Sequence, residues 1–373
     1  MRSGVRASFG ERLRLARLAR GMTAAALAEA VGVSPGAISQ YERSGVVPRE
    51  GVVAALARAL SVPEGQLFRP VAEGPASPVW FRSLAAAGKR ARLTANARLV
   101  WLADLVESVE RRVQLPDVDL PAFRPAEPGE RSAAELERAA SDLRAHWGLR
   151  SGPITNLTRL VESRGILVVR MGDLSAMLDA FSHEGPRPTI VVNAARTTLV
   201  RYRFDVAHEL AHLVLHRGQP ELGADDGPRL KAMEREAHRF GAAFLFPETA
   251  VREQIYSLST GSLLPLKRTW GLSLQALARR ALDVGLVSRA QFERRMAEWS
   301  RAGYRGHEPL DDELPIETTS LLPAALELIS REIGGGLLSE LQLDAVDVST
   351  LASLDPAQLE LAHTPRLRLL PKT

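Results

Sequence analysis

The 373-residue chain contains no cysteine. Disulfides, thiolate metal ligands and a cysteine nucleophile are thereby excluded, and a reducing, cytoplasmic compartment is the expectation. No apolar run approaches the roughly 18 residues that a membrane span needs. Residues Met1-Arg2-Ser3-Gly4-Val5-Arg6 lead into a polar helical pattern rather than an apolar signal segment. Lysine and aspartate are missing from residues 1 to 70, which hold 10 Arg and 5 Glu; the remainder carries 38 basic against 39 acidic residues. The positive excess is therefore confined to the N-terminal part, which suits a phosphate backbone. What is present is ordinary for a globular chain of two or three domains: 45% hydrophobic and 25% charged residues.

Histidine is scarce, 8 in the chain, yet two stand four apart in Phe204-Asp205-Val206-Ala207-His208-Glu209-Leu210-Ala211-His212. At that spacing on a helix two imidazoles are about 40° apart around the axis and roughly 6 Å apart along it, so both can face one metal ion. With one further ligand they leave a coordination position for water and lower its pKa toward about 7. Glu209 lies beside such an ion and is placed to take the proton and pass it to a leaving amine, the chemistry of peptide hydrolysis without a covalent intermediate. By chance HExxH would arise in so histidine-poor a chain about one time in a hundred. Flanking Phe204, Val206, Ala207, Leu210, Ala211, Leu213 and Val214 further mark the helix as largely buried, where a carboxylate and two imidazoles need partners.

The third ligand is expected on a second helix, Arg229 to Phe246, ended by Pro247. Glu236, Phe240 and Phe244 recur at fourfold spacing, which puts the Glu236 carboxylate on the inward stripe. Glu236 is the expected ligand; Glu234 and His238 are competitors read as solvated or supporting groups. His216, four residues beyond His212, does not fit the longer HExxHxxGxxH pattern, because Leu215 and Gly218 occupy its glycine and third-histidine places. It is expected to meet the helix dipole at the C-terminus.

These residues resemble the ImmA/IrrE metallopeptidase family from about Leu136 to Glu248. The resemblance runs through Trp147-Gly148-Leu149, Gly165-Ile166-Leu167-Val168-Val169, Asp179-Ala180-Phe181-Ser182, Ile190-Val191-Val192-Asn193, the helix around His208, and Glu236-Ala237-His238-Arg239-Phe240 to Pro247. It implies a small gluzincin-like fold with short strands beside the active helix, Glu236 as third ligand, and zinc as the ion, with manganese or iron as other occupants of such a site. It also implies cleavage of a specific protein partner, often a helix-turn-helix repressor, in stress, phage or mobile-element responses.

The first seventy residues read as five short helices: Phe9 to Arg20, Thr23 to Ala30, Ser34 to Glu42, Glu50 to Leu60 and Pro63 to Phe68. Gly21, Gly32, Gly45 to Pro48 and Pro63 separate them. Thr23 and Ser34 suit N-caps, and Gly32 suits the tight turn between the second and third helices. Leu13, Gly21-Met22-Thr23, Leu27-Ala28, Gly32-Val33-Ser34 and Ile38-Ser39-Gln40-Tyr41-Glu42 resemble the lambda-repressor/Cro-like (XRE) family. That resemblance implies a buried Arg17–Glu42 pair and a third helix in the major groove of double-stranded DNA. Ser34, Pro35, Gly36, Ser39 and Gln40 would then face bases while Arg43 reaches phosphate. Pro35 and Gly36 offer no side-chain hydrogen bonds, so direct readout rests on Gln40 with Ser39 beside it.

The expected organisation is a helix-turn-helix domain over 1–70, a linker and helical spacer over 71–130, a metallopeptidase core over 131–260, a helical extension over 261–310 and a segment without assigned role over 311–373. The fold class is mainly α with a small β-sheet. Val79-Trp80-Phe81-Arg82 is read as opening a helical segment continued by Leu99, Leu102, Leu105 and Val106, a spacer or homodimer element with Trp80, Phe81 and Trp101 in its core. Lys267, Arg268, Arg279 and Arg280 make the extension basic, with solvated helix faces favoured over a second nucleic-acid surface. Two functions follow: a DNA-binding regulator that also cleaves a protein partner, or a transcription factor or antitoxin whose peptidase domain is a sensor or docking scaffold.

Overall fold

A computed structural model describes residues 2–44, 46–70, 79–81, 88–124, 126–172, 174, 179–195, 198–219, 226–333 and 337–354. The architecture is mainly helical with one small mixed sheet. Among the described residues no helix is long and apolar enough to cross a membrane.

The N-terminal helices are α1 (Arg2–Ala19), α2 (Ala24–Val31), α3 (Pro35–Ser44) and α4 (Glu50–Ala59), followed by a 3-10 turn at Glu64–Phe68. Their limits follow from local chemistry. Thr23 Oγ1 accepts the Ala26 N–H at 3.1 Å to start α2, and Gly32 adopts φ 73° to end it, a left-handed conformation glycine reaches without a Cβ penalty. Ser34 Oγ accepts the Ala37 N–H at 3.2 Å and so caps α3. Arg17 meets Glu42 through two hydrogen bonds of 2.6 and 2.8 Å, tying α1 to α3. At Gly10 a Cβ would lie 2.6 Å from the Tyr41 carbonyl oxygen, so only glycine admits this approach of α1 to α3.

Next come β1 (Val79–Phe81), α5 (Lys89–Glu110), α6 (Ala133–His146), α7 (Leu157–Ser163), β2 (Leu167–Met171), β3 (Ala180–His183), β4 (Thr189–Asn193), α8 (Leu199–Leu215) and α9 (Gly227–Leu245). The helical reading of Val79 onward is corrected at its start. Val79–Phe81 pairs antiparallel with β3, Trp80 opposite Ser182, and α5 begins at Lys89. Three residues are too few to display a strand period; the partner strand decides their conformation. The Ala72–Pro78 linker and the side chains of Trp80 and Phe81 lie outside the described residues, whereas Trp101 is buried as expected.

The sheet order is β1-β3-β4-β2, with β2 parallel and β3 antiparallel to β4. Both faces are covered, and the two-residue period divides the strands between them. Leu167, Val169, Met171, Phe181 and Val191 join a core with α1, α4, α5 and the C-terminal helices; Val168, Ala180, Ile190 and Val192 join a core with α6, α8 and α9.

The chain continues through α10 (Glu248–Gln254), α11 (Thr260–Trp270), α12 (Leu274–Asp283), α13 (Arg289–Arg301), α14 (Leu321–Ile333), α15 (Leu337–Leu341) and α16 (Ala345–Ala352). The last three give residues 321–352 a structural place. Glu162 receives the Ser320 and Leu321 N–H groups at the start of α14, and Arg20, just past α1, grips Asp347 of α16 at 2.6 and 2.7 Å. Just past α16, Ser353 Oγ accepts the Arg170 N–H at 2.7 Å and donates to the Arg170 carbonyl at 3.1 Å, covering the open edge of β2. The four basic residues of the extension divide between core and solvated surface. Lys267 is fully buried against Glu308 and Asp311, Arg280 is fully buried against Glu137, and Arg268 and Arg279 pair with Glu313 and Asp283.

Candidate metal centre

Helix α8 is buried along nearly its whole length, which brings three polar side chains, His208, Glu209 and His212, into an apolar interior. His208 and His212 stand one turn apart on one face, with ring centroids 4.9 Å and Nε2 atoms 3.2 Å apart. Helix α9 crosses them closely because Gly241 lacks a side chain: a Cβ there would lie 3.1 Å from the carbonyl carbon and oxygen of Ala207. Ala237 and Gly241 thus form a small-residue stripe on α9 that lets Glu234, on the same stripe, reach the histidines.

Glu234 Oε2 lies 3.3 Å from His208 Nε2, and Oε1 lies 3.4 Å from His212 Nε2. These three residues are the one group of potential ligands found among the described residues. Donors about 2.0 to 2.1 Å from a tetrahedral ion stand about 3.3 Å from one another, so separations of 3.2, 3.3 and 3.4 Å fit a divalent ion. The carboxylate bears this out electrostatically. Burial alone would raise its pKa, but the hydrogen bonds and charges of His208 and His212 outweigh burial and hold it well below the usual carboxylate range.

The structure places Glu234, and not the expected Glu236, against His208 and His212. Glu236 does point inward, as its spacing with Phe240 and Phe244 requires, but what it meets is a different set of groups. Its oxygens accept from the Gly129 N–H at 2.7 Å and Arg131 Nη1 at 2.8 Å, and from His216 Nε2 at 3.1 Å. Burial would raise this carboxyl too, but His216, the Gly129 amide and Arg131 keep it low. His216 in turn faces His212, Nδ1 to Nδ1 at 3.0 Å. Burial drives its pKa down to about 4, so the ring is neutral. A neutral ring cannot oppose the helix dipole as a cation; instead it accepts at Nδ1 from His212 and donates at Nε2 to Glu236. The line Arg131–Glu236–His216–His212 fixes the tautomer of His212 that leaves Nε2 facing Glu234. His238, the other competitor, packs its ring at a tilt against Phe204, centroids 4.8 Å apart, and is not a member of that group.

Glu209 is fully buried beside the ligands. Its Oε2 accepts from Ser182 Oγ of β3 at 2.8 Å, and its Oε1 has no hydrogen-bond partner. An orphaned carboxylate oxygen in an interior is costly unless a further group, such as a water or a substrate, completes it. Burial raises the pKa of this carboxyl to about 7, against the opposing pull of His212 and Ser182, which is the range a proton-transfer group requires. Ser182, Gly129 and Arg131 carried no signal in the spacing of residues around His208, because they come from a strand and a loop far away in sequence.

The groups expected at DNA sit on α3 and its cap. Ser34, Pro35, Gly36, Gln40 and Arg43 are exposed and Ser39 is half-buried. The Ser34 hydroxyl is occupied as a cap acceptor, and Arg43 Nε donates to the Ser39 carbonyl at 3.3 Å, leaving the Gln40 amide as the outward group with most hydrogen-bonding capacity.

Residues 161–282 match the family model of the IrrE N-terminal-like domain, a peptidase family, and residues 8–68 match that of a helix-turn-helix domain. The chain joins a helix-turn-helix domain to an IrrE N-terminal-like domain. The IrrE-like match spans β2 to β4, α8 to α11 and most of α12, and so contains His208, Glu209, His212 and Glu234. No curated protein matches the chain.

Proposed function

We propose that this protein is a DNA-binding regulator whose IrrE-like domain is a metal-dependent endopeptidase restricted to one protein partner. The observation that carries the reading is the convergence of His208, His212 and Glu234 on one point with the orphaned Glu209 Oε1 beside it. His208, His212 and Glu234 would hold the ion, and a divalent metal of that kind, zinc by the nature of two imidazoles and one carboxylate, would polarise a peptide carbonyl and acidify water. Glu209 would take the proton of the attacking water on Oε1 while Ser182 steadies Oε2, and would return it to the departing amine. The line from Arg131 through His216 keeps His212 in the orientation that presents Nε2.

At the other end of the molecule, the exposed face of α3 and the Arg-rich composition of residues 1–70 support binding to duplex DNA. A partner of the repressor type, cleaved in a stress, phage or mobile-element response, fits a peptidase carried by its own DNA-binding domain. The test pairs wild type with Glu209→Gln. With candidate repressors as substrate, wild type should cleave one of them and the variant should cleave about 10²- to 10⁴-fold more slowly, while both carry metal and both retard operator DNA. If both leave every repressor intact yet still bind DNA, the domain is a sensor or scaffold and the hydrolytic reading fails.

A further inference from the structure

Beside the metal centre lies a cavity of about 470 Å³ whose walls come from α8, α9, α12, α13 and the turn at Tyr304 to Gly306. Its wall is mixed, but Phe204, Ala242, Ala276, Phe292, Met296 and Tyr304 give it an apolar part of the kind that takes one large side chain. Phe204 is one turn from His208 on the same face of α8, with ring centroids 6.4 Å apart. A step of one helical turn is close to the roughly 6.6 Å between alternate residues of an extended peptide. A peptide lying along this ridge with its scissile bond over His208 and His212 places a side chain about two residues away in the cavity.

The charges around the cavity narrow the class further. Glu308 and Asp311 are spent on the buried Lys267, and Arg279 on Asp283. Asp205 and Asp179 are engaged in polar interactions of their own. Arg201 and Arg305, both exposed at the wall, make no hydrogen bond or ion pair among the described residues. Among the described residues Arg201 and Arg305 are therefore the cations of the wall without an ion-pair partner, and Asp179 and Asp205 offset them in net charge.

We infer that this cavity is the specificity pocket of the peptidase, and that it selects an extended segment with a large apolar side chain about two residues from the cleaved bond and an acidic residue beside it. The inference rests on the hydrolytic reading above, but binding can be measured apart from cleavage. The full-length Glu209→Gln chain, loaded with zinc, is panned against an immobilised library of short randomised peptides, and the selected peptides are then offered to wild type.

Selection of Phe, Leu, Met or Trp next to Asp or Glu is the expected result. In the Glu209→Gln background, Ala276→Trp should weaken binding of those peptides on the order of ten- to hundredfold, the equivalent of denying burial to one large apolar side chain. Arg201→Glu with Arg305→Glu should shift selection from acidic to basic neighbours. If Ala276→Trp does not fold, Met296→Lys makes the same test from the half-buried wall. The pocket assignment is overturned if selection shows no apolar preference, or if a filled variant with unchanged melting and metal content binds as before. Selection of the expected peptides with no cleavage by wild type would refute the hydrolytic reading and leave the pocket as a docking site. Cleavage indifferent to these residues would do the reverse.

Discussion

Glu234 and Glu236 are two residues apart on one helix, and their replacement by glutamine should separate metal binding from stability in opposite directions. Glu234→Gln removes the anionic donor shared by His208 and His212, from a side chain 23% exposed. Water can reach that site, so the metal-free chain should lose little stability while stoichiometric zinc is lost. Glu236→Gln works from a side chain 4% exposed and leaves the Arg131 guanidinium, 9% exposed, without its counter-charge. Removing one member of a buried pair costs about 3 to 5 kcal/mol, or a fall in melting temperature of about 6 to 20 °C at roughly 2 to 4 °C per kcal/mol. Metal should still bind, about 10- to 100-fold more weakly, because His216 loses the acceptor that orients it behind His212. Calorimetric melting of the metal-free proteins and zinc titration against a competing chelator read the two quantities. Full zinc affinity in Glu234→Gln with loss of zinc in Glu236→Gln would refute the ligand assignment drawn from the geometry.

Three further expectations follow from single contacts. Gly241→Ala should cost about 1 to 3 kcal/mol and lower zinc affinity together, since its methyl must push α9 off the α8 backbone at Ala207; an unchanged melting curve would show that the helices need no such closeness. Arg20→Ala should destabilise the full chain by about 1 to 3 kcal/mol by stranding the buried Asp347, and should speed limited proteolysis within residues 337–354; equal cleavage rates would deny that the pair holds α16 in place. On DNA, Gln40→Ala should relax preference at one base position by about 1 to 3 kcal/mol, whereas Arg43→Ala should weaken all sequences alike and reduce the salt slope by about 1. Loss of specificity from Arg43→Ala but not from Gln40→Ala in a retardation series would reverse the two roles.

Much of the helix-turn-helix region was legible because its determinants are local. Thr23, Gly32 and Ser34 set helix limits with their own side chains or backbone freedom, and the Arg17–Glu42 pair is formed where the resemblance placed it. His208, Glu209 and His212 were likewise readable, since one helix turn brings them together. Which carboxylate meets the two histidines was not, because two spacings competed. Glu236, Phe240 and Phe244 mark the most buried stripe of α9, but burial says only that a side chain points inward and not which neighbour it meets. The stripe of Glu234, Ala237 and Gly241 carried the decisive information, for small residues permit close helix approach and a long polar side chain on their line then reaches across. Val79–Phe81 and residues 337–354 were opaque for another reason: their conformations are dictated by β3, β2 and α1, more than a hundred residues away in most cases.

The shared sheet makes the two halves of this protein inseparable in a practical sense. Odd-numbered side chains of β2 are covered by α16 and belong to one continuous core with α5 and the helix-turn-helix domain, while the even-numbered Val168 belongs to the core of the domain that holds the histidines. Excising either half would therefore bare a hydrophobic wall rather than sever a tether, and an isolated fragment should aggregate or recruit a substitute cover. A gene truncated between the two domains should yield two products that each need a new cover for this wall.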